Sequence, residues 1–351
     1  MKIAEIAQIA GVSKSAVSLA LNGKPGVSEE TRERIVEIAK ETGYLRKTLK
    51  KAKTVSVQRP AQLPKVLRFI VCTNHGIVSE EYQNQSFFTE LLHDIEDQCK
   101  DYRCDLLYST IRHDGFQDGL QRVQNSVAAE GTIVLGTNLN PQDIEAIASI
   151  SKNIVVLDTL FTTMNHDFVV MNNAMGAHQA AEYLMGLGHT RIGYVQSVSR
   201  MQNFDERKQG FYAALKDRGL SIPSQYFISL EPTITTVQPE FLKQWSDISR
   251  DKPTALFCEC DYMAISVIKG LLELGLRVPD DVSVIGFDDI RESTIVVPEL
   301  TTIHVPKQQM AKHAVRQLIS SLTEADFAAS KIVVDTSLIE RRSCGEPKVG
   351  D

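Results

Sequence analysis

Residues 11–23, GVSKSAVSLALNG, contain a helix too short to be stable in water on its own, so neighbouring segments must hold it. Apolar residues at helical spacing precede it, and Gly11 ends that first run at a position suited to positive φ. Ser13 can then cap the second helix. Two short helices joined through a glycine-containing turn predict a helix-turn-helix. The buried side of the second helix is expected to consist of Ala16, Val17, Ala20 and Leu21.

A third helix is predicted within residues 26–44, GVSEETRERIVEIAKETGY, with Ser28 as its N-cap and Gly43 at its end. The three helices predict one small all-α domain over residues 1–45. Residues 1–60 carry twelve Lys and Arg against six Glu, whereas the whole chain has a net charge of -6. A basic head on an acidic body is typical of a nucleic-acid-binding module joined to a domain of another kind.

The stretch from Ile3 to Tyr44 resembles the DNA-binding domain of the LacI/GalR family of bacterial transcription regulators. The family pattern D-V-A-x-x-A-G-V-S-x-x-T-V-S-x-x-L-N is met here with Glu5 at the acidic position and Ala16 at the usual threonine. The resemblance implies that Lys14, Ser15 and Leu19 read bases, and Leu19 is suited to a thymine methyl group. It also implies that DNA phosphates are held by Ser13, Asn22, Ser28 and Thr31. The DNA-binding residues expected in this domain are Ser13, Lys14, Ser15, Ser18, Leu19, Asn22, Ser28, Thr31 and Tyr44.

Residues 46–65, RKTLKKAKTVSVQRPAQLPK, form a basic linker or hinge that departs from the family. The family reads P-N-x-x-A-R-x-L here, and its leucine wedges into the minor groove. This chain has Lys50, Lys51 and Lys53 where Ala, Arg and the wedge leucine would stand. Two interpretations remain: the linker follows DNA phosphates and adds affinity electrostatically, or it is a solvated spacer. Five positive charges within residues 46–53 favour the first.

From residue 66 onward, β-rich runs such as VLRFIVCT (66–73) and NIVVLDT (153–159) alternate with helical runs. This alternation predicts parallel sheets with helices on both faces, and two such series predict an α/β body of two Rossmann-like lobes. The resemblance continues through GLGHTRIGYV (186–195) and GLRVPDDVSVIGFDDI (275–290), and it implies a core like that of periplasmic sugar-binding proteins. A ligand-binding core is expected over residues 66–342, with one lobe of about 66–168 and 301–330, the other of about 169–300 and 331–342, and a tail over 343–351.

The cleft between the lobes is the expected ligand site, because ligands of open α/β sheets bind beyond the carboxyl ends of the strands. Charged side chains at strand ends can bind a polyol through charge-assisted hydrogen bonds, and aromatic faces stack on sugar rings or purines. The resemblance supports three of the charged positions, and a surface salt bridge is the alternative for each. The candidate ligand-binding residues are Asn74, Phe87, Phe88, Asp158, Arg207 and Asp261.

Other classes of protein find no support in the sequence. The dinucleotide-binding glycine motif, the P-loop, the G-x-S-x-G elbow and H-E-x-x-H are absent, so no enzyme activity is predicted. The six cysteines are scattered, and we predict no disulfide, metal or cofactor. No apolar run approaches the roughly 18 residues of a membrane span, and the N-terminus does not read as a signal peptide. A cytoplasmic protein is expected.

The sequence therefore predicts a ligand-responsive transcriptional regulator, a repressor by the resemblance. It is expected to bind a near-palindromic operator in double-stranded DNA as a homodimer or tetramer. A sugar or sugar derivative is the expected effector. A purine or nucleoside, or a protein corepressor, is the alternative on the same fold, and a cytoplasmic solute-binding protein is a more distant one.

Overall fold

The computed structural model describes residues 3–21, 26–41, 65–74, 76–248 and 251–348. Contacts within the chain divide it into two compact units, residues 1–62 (the head) and residues 63–351 (the body). Most of the linker predicted at 46–65 lies outside the described residues. So do five of the predicted DNA-binding residues, which are Asn22, Tyr44, Lys50, Lys51 and Lys53.

The head contains the helices α1 (Ile3–Ala10), α2 (Lys14–Leu21) and α3 (Glu29–Glu41). The guanidinium of Arg34 donates to the carbonyl of Ala10 at 2.9 Å, and that of Arg32 donates to the carbonyl of Ala20 at 3.1 Å. Two side chains of α3 therefore satisfy carbonyls that the ends of α1 and α2 leave without partners. The apolar core of the head consists of Ile6, Ala7, Ala10, Val17, Ala20, Ile35 and Ala39.

The body alternates strands and helices, as the sequence predicts. Its strands are β1 (Val66–Cys72), β2 (Asp105–Ile111), β3 (Gly131–Leu135), β4 (Ile154–Leu157), β5 (Asp167–Met171), β6 (Ile192–Ser197), β7 (Phe227–Leu230), β8 (Ala255–Cys258), β9 (Ser283–Ile285), β10 (Thr302–His304), β11 (Lys331–Val334) and β12 (Ser337–Ile339). Its α-helices are α4 (Ser86–Asp101), α5 (Phe116–Gln124), α6 (Pro141–Ile150), α7 (Asn173–Gly186), α8 (Gln202–Asp217), α9 (Pro239–Asp247), α10 (Asp261–Glu273) and α11 (Lys307–Thr323).

Two parallel sheets form the two lobes. The first lobe has six strands in the order β11-β5-β4-β3-β1-β2, and the second has four in the order β7-β6-β8-β9. The residues of β3 and β4 are all buried, which is why these strands read as unbroken apolar runs. A small antiparallel pair, β10 with β12, lies beside β9 and is joined to it by a bridge between Ile285 and Thr301.

The sheet to which each strand belongs places the lobe boundaries at residues other than those predicted. Strand β5 pairs with β4 through Leu157 and Val169, so the chain leaves the first lobe after Met171 and not at 168. Strand β11 belongs to the same sheet, so the chain crosses to the second lobe for the last time after Val334 and not at 331. Strand β10, which ends at His304, lies with the second lobe, beyond the predicted boundary at 300. Each boundary shifts because the apolar run beside it continues into a sheet.

The predicted tail begins inside the second lobe. The Ser343 carbonyl accepts a hydrogen bond from Val284 N at 2.8 Å, and its hydroxyl accepts one from Thr301 N at 2.8 Å. The carbonyl of Gly345 meets His189 Nε2 at 2.9 Å. These contacts satisfy backbone groups beside β9, so residues 343–345 are part of the folded body.

Candidate functional site

A cavity of about 50 Å³ lies in the cleft, where strand ends of both lobes face each other. Four of the six predicted ligand-binding residues line it, namely Phe87, Phe88, Asp158 and Arg207. Its wall also includes Phe204, Tyr262, Asn203, Cys260 and Asp288, which were not among the predicted ligand-binding residues. Asn74 and Asp261 do not line it.

Arg207 lies on α8 and is almost fully buried. Its guanidinium donates to Asn173 Oδ1 at 2.9 Å, to the Glu259 carbonyl at 2.5 Å and to Asp288 Oδ1 at 2.9 Å. The guanidinium carbon also lies 3.7 Å from the centre of the Phe287 ring, within the range of a cation–π contact. These contacts fix the guanidinium at the wall of the cavity.

Asp158 follows β4 and has a φ of 68°, a left-handed conformation that is uncommon outside glycine. One carboxylate oxygen accepts a hydrogen bond from Asn203 Nδ2 at 2.7 Å, and the other accepts one from the Thr137 hydroxyl. Burial raises the pKa of Asp158 to about 6, although both hydrogen bonds and the charge of Arg207 oppose the shift. Strained backbone at a buried carboxylate is typical of a binding site.

Asp288 is the second carboxylate of the cavity, and it follows β9 with a φ of 115°. Burial raises the pKa of Asp288, and the charges of Arg207 and Lys307 oppose this rise. The Lys307 ammonium donates to the carbonyl of Asp288 at 3.1 Å and pairs with Glu90 at 3.1 Å. The loop after β9 is therefore held from both lobes.

Asp261 is placed differently from the sequence prediction, because it is fully buried at the start of α10 and does not line the cavity. Its carboxylate accepts hydrogen bonds from Ile290 N at 3.0 Å, the Ser293 hydroxyl at 2.7 Å and the Thr302 hydroxyl at 2.5 Å. Burial raises the pKa of Asp261 to about 7, and the negative charge of Asp288 contributes a smaller part of this rise. Asp261 thus fastens the loop after β9, and Asp288 presents a carboxylate to the cavity.

We expect Asp261→Ala to lower the free energy of unfolding of the body by about 2–4 kcal/mol, since it leaves three buried donors without an acceptor. Asp261→Asn keeps one oxygen for Ile290 and Ser293 and is expected to cost less than half as much. Urea unfolding of both variants measures this difference. Equal losses would show that the hydrogen bonds of Asp261 are not what stabilises the loop.

Asn74 lies in a separate groove of the first lobe. Its amide donates to the Thr137 carbonyl at 3.2 Å and accepts a hydrogen bond from Val78 N at 3.0 Å. Both contacts order the loop after β1. Asn74 is therefore a positioning residue for that loop and not part of the cavity wall.

The aromatic wall joins the two lobes. Phe87 and Phe88 stand edge to face, with ring centres 5.4 Å apart at 86°. The Tyr262 hydroxyl, from the second lobe, accepts a hydrogen bond from Phe87 N at 3.3 Å. The Ser86 hydroxyl donates to Glu292 across the same gap at 2.6 Å. The start of α4 therefore contacts the second lobe directly beside the cavity.

Glu259 was not predicted as a site residue, although it is fully buried at the end of β8. It forms an ion pair with Arg200 at 2.7 Å and accepts hydrogen bonds from the Tyr194 hydroxyl at 2.9 Å and Ser197 N at 2.7 Å. These contacts hold the loop that leads to Met201 in the cavity wall. Burial raises the pKa of Glu259, and its pairing with Arg200 opposes that rise.

A larger groove of about 480 Å³ lies at the opposite end of the second lobe, beside the residues that precede β8 and β9. The Lys252 ammonium stands 5.0 Å from the centre of the Trp245 ring, and Lys348 pairs with Asp281. These charges already have partners within the protein, so the groove gives no specific indication of a ligand.

In the head, the predicted DNA-facing residues are accessible on α2. Lys14 and Ser15 are exposed, and Ser18 and Leu19 are half-buried. The Ser13 hydroxyl accepts a hydrogen bond from Ala16 N at 3.1 Å and so caps α2. Just before α3, the Ser28 hydroxyl accepts a hydrogen bond from Thr31 N at 3.3 Å. The Thr31 hydroxyl lies 2.8 Å from that of Ser28.

Two further properties concern the described part of the chain. No cluster of His, Cys, Asp or Glu there has an arrangement that could hold a metal ion. None of the described helices combines the length and apolar character that a membrane crossing requires.

Comparison with known proteins matches both units of the chain. Residues 2–47 match the bacterial regulatory proteins of the lacI family, and residues 181–344 match the periplasmic binding protein-like domain. The chain is 28% identical over 345 residues to the ribose operon repressor of Haemophilus influenzae, with 97% of each chain covered. It is 29% identical over 355 residues to the HTH-type transcriptional repressor PurR of Pectobacterium atrosepticum, covering 98% of this chain and 97% of that protein.

The fold is also that of a solved repressor. The crystal structure of the lac repressor dimer bound to operator and the anti-inducer ONPF aligns with a TM-score of 0.65 and 21% identity over 98% of both chains. The predicted helix-turn-helix head and two-lobed α/β body are confirmed. The chain thus combines a DNA-binding domain that matches the lacI family with a periplasmic binding protein-like domain, and it is a ligand-responsive DNA-binding transcriptional regulator.

Proposed function

We propose that this protein is a repressor that binds a near-palindromic operator as a homodimer in the cytoplasm, and that a carbohydrate bound in the cleft switches its operator affinity. The observation that carries the proposal is the cavity itself. It combines aromatic rings with Asp158, Arg207 and Asp288, which can accept from and donate to the hydroxyls of a sugar. The similarity to the ribose operon repressor supports a sugar, and the similarity to PurR makes a purine the competing effector.

A ligand can act on the lobes because both of them surround it. Asp158 of the first lobe is bonded to Asn203 of the second at 2.7 Å, and Gln202 of the second donates to the Leu160 carbonyl of the first at 3.0 Å. A molecule seated at these contacts binds one arrangement of the lobes better than another and shifts the equilibrium between them. Residues 46–65 would transmit the change to the head. Coupling energies of about 1–3 kcal/mol are usual for such switches.

Selection of bound sequences from a random DNA pool tests the proposal with the full-length protein at near-physiological salt. We expect a palindromic consensus with half-sites about one helical turn apart. The selection is then repeated with ribose, galactose, cellobiose, adenine and guanosine. A sugar that changes the bound fraction supports the carbohydrate effector, and a purine that does so overturns it. Failure to enrich any sequence would contradict the role of the head.

The basic linker supplies a separate prediction. Replacing Lys50, Lys51 and Lys53 together by Ala is expected to weaken operator binding and to flatten its salt dependence by about 0.9 log unit for each phosphate that the variant no longer neutralises. Titrations of operator DNA at several salt concentrations measure the slope. An unchanged slope would show that residues 46–65 are a spacer that does not touch the phosphates.

A further inference from the structure

Lys307 is a buried cation at the first residue of α11. This helix packs against α4 and against strands β3, β4 and β5 of the first lobe. Its buried residues recur at helical spacing, and they are Lys307, Met310, Ala311, Ala314, Val315, Leu318 and Ile319. Lys307 thus occupies a position that the periodicity assigns to an apolar side chain. A lysine is stable there only if nearby groups compensate its charge.

The Lys307 ammonium has three acceptors, which is the number that its N–H groups can serve. Glu90 Oε2 on α4 lies at 3.1 Å, the Asp288 carbonyl at 3.1 Å and the Asp289 carbonyl at 3.4 Å. The ammonium nitrogen also lies 5.4 Å from the centre of the Phe87 ring, within the range of a cation–π contact. The helices α4 and α11 belong to the first lobe, whereas Asp288 and Asp289 follow β9 of the second. The ammonium therefore joins the two lobes.

The turn at Asp288 and Asp289 depends on contacts from outside itself. Their φ values are 115° and 51°, a conformation that costs energy for residues other than glycine and persists only where the surroundings enforce it. From its own lobe, the Asp289 carboxylate is paired with Arg341 at 2.6 Å and with His304 Nδ1 at 2.9 Å. Lys307 adds a contact from the first lobe, and it holds two successive carbonyls of the turn.

The same turn reaches the cavity. The Asp288 side chain lines the cavity and pairs with Arg207 at 2.9 Å, while the carbonyl of Asp288 accepts a hydrogen bond from Lys307. A change at the Asp288 carboxylate that moves its peptide unit must therefore move or break the contacts of the ammonium. Because the ammonium is also paired with Glu90, a continuous series of contacts links the cavity to α4.

We propose that Lys307 is a positioning residue that couples the cavity to the first lobe, because it fastens the turn at Asp288 and Asp289 to α4 and so fixes one arrangement of the lobes. The inference rests on the proposed function in one respect, since it takes the arrangement of the lobes to govern operator affinity. The coupling between α4 and the turn does not depend on which molecule is the effector.

Hydrogen exchange of the full-length protein, followed by mass spectrometry, tests the coupling without DNA or effector. Methionine nearly matches lysine in length and suits the apolar stripe of α11, so Lys307→Met is the first variant. We expect the amides of Asp288 and Ile290, both hydrogen-bonded in the turn, to exchange at least about tenfold faster in it. Lys312→Met removes the same charge from an exposed position on α11 and should change this exchange less than about twofold.

Glu90→Gln separates coupling from a purely local role of the lysine. It removes the anchor of the ammonium on α4 and is expected to speed exchange of the same two amides at least about threefold. It should have no further effect in a protein that already carries Lys307→Met. Lys307→Arg keeps the cation and should restore most of the protection. Unchanged exchange in Lys307→Met, or an equal effect of Glu90→Gln in both backgrounds, overturns the coupling.

Operator titration tests the consequence for regulation, with the consensus sequence that the selection yields. Lys307→Met is expected to change operator affinity at least about fivefold, the lower end of the usual coupling between sites, and Lys312→Met less than about twofold. Unchanged operator affinity together with faster exchange overturns the regulatory role of Lys307 and leaves the repressor function standing. If no sequence is enriched, the proposed function itself fails, and the exchange experiment still decides the coupling.

Discussion

Ile35→Asp is expected to lower the operator affinity of the full-length protein about a hundredfold. Ile35 is fully buried in the head, in one core with Ile6 and Val17. Small domains of this size rarely have more than about 3–5 kcal/mol of stability. Removing a buried isoleucine costs about 2–5 kcal/mol, and burying an aspartate adds several more. At the middle of these ranges the head of the variant is unfolded by about 3 kcal/mol, which reduces its folded fraction about a hundredfold.

The body supplies an internal reference for this prediction, because it forms a compact unit of its own. Its thermal unfolding and its binding of the proposed effector should match those of the unmodified protein, and calorimetry and ligand titration measure both. Gln8→Glu makes the same change in charge at an exposed position on α1 and should alter operator affinity by less than about threefold. If Ile35→Asp retains operator binding, the three-helix core is not what presents the DNA-binding surface.

Much of the architecture could be predicted because its signals are local. The alternation of β-rich and helical runs placed β1 and β4 correctly. The resemblance to the family pointed to Asp158 and Arg207 as ligand-binding residues, and both line the cavity. The strands β5 and β11 were not predicted, because each is only four or five residues long and lies next to a segment where the chain passes from one lobe to the other. Short apolar runs of this kind do not reveal which sheet they join.

The sequence could not predict that Asp288 lines the cavity and that Asp261 instead holds the loop after β9. Both follow a strand that ends at the cleft, so strand order alone treats them alike. The backbone decides between them: Asp288 has a φ of 115°, which is rare for a residue other than glycine, and Asp261 starts a helix. Glu259 was missed for a related reason, since its partner Arg200 lies 59 residues away in the chain and only the fold brings them to 2.7 Å.

Arg207→Met is expected to lower the free energy of unfolding of the body by about 3–5 kcal/mol near pH 8, because it leaves the buried carboxylate of Asp288 without its partner. It should also abolish the response to the proposed effector, since the cavity loses its cationic donor. Urea unfolding and ligand titration of the purified variant measure the two effects.

The loss should depend on pH in a direction that identifies its cause. Burial already raises the pKa of Asp158 to about 6, and it raises that of Asp288 as well, while the charge of Arg207 opposes both shifts. Without Arg207 both values lie further above the unfolded value of about 3.9, so the variant loses stability as the pH rises through that range and recovers it as the pH falls. The deficit should therefore shrink between pH 8 and pH 5. Arg207→Lys keeps the charge and should show a smaller loss with little pH dependence. Equal deficits for the Met variant at both pH values would mean that Arg207 stabilises the body by packing against Phe287 and not by compensating buried charge.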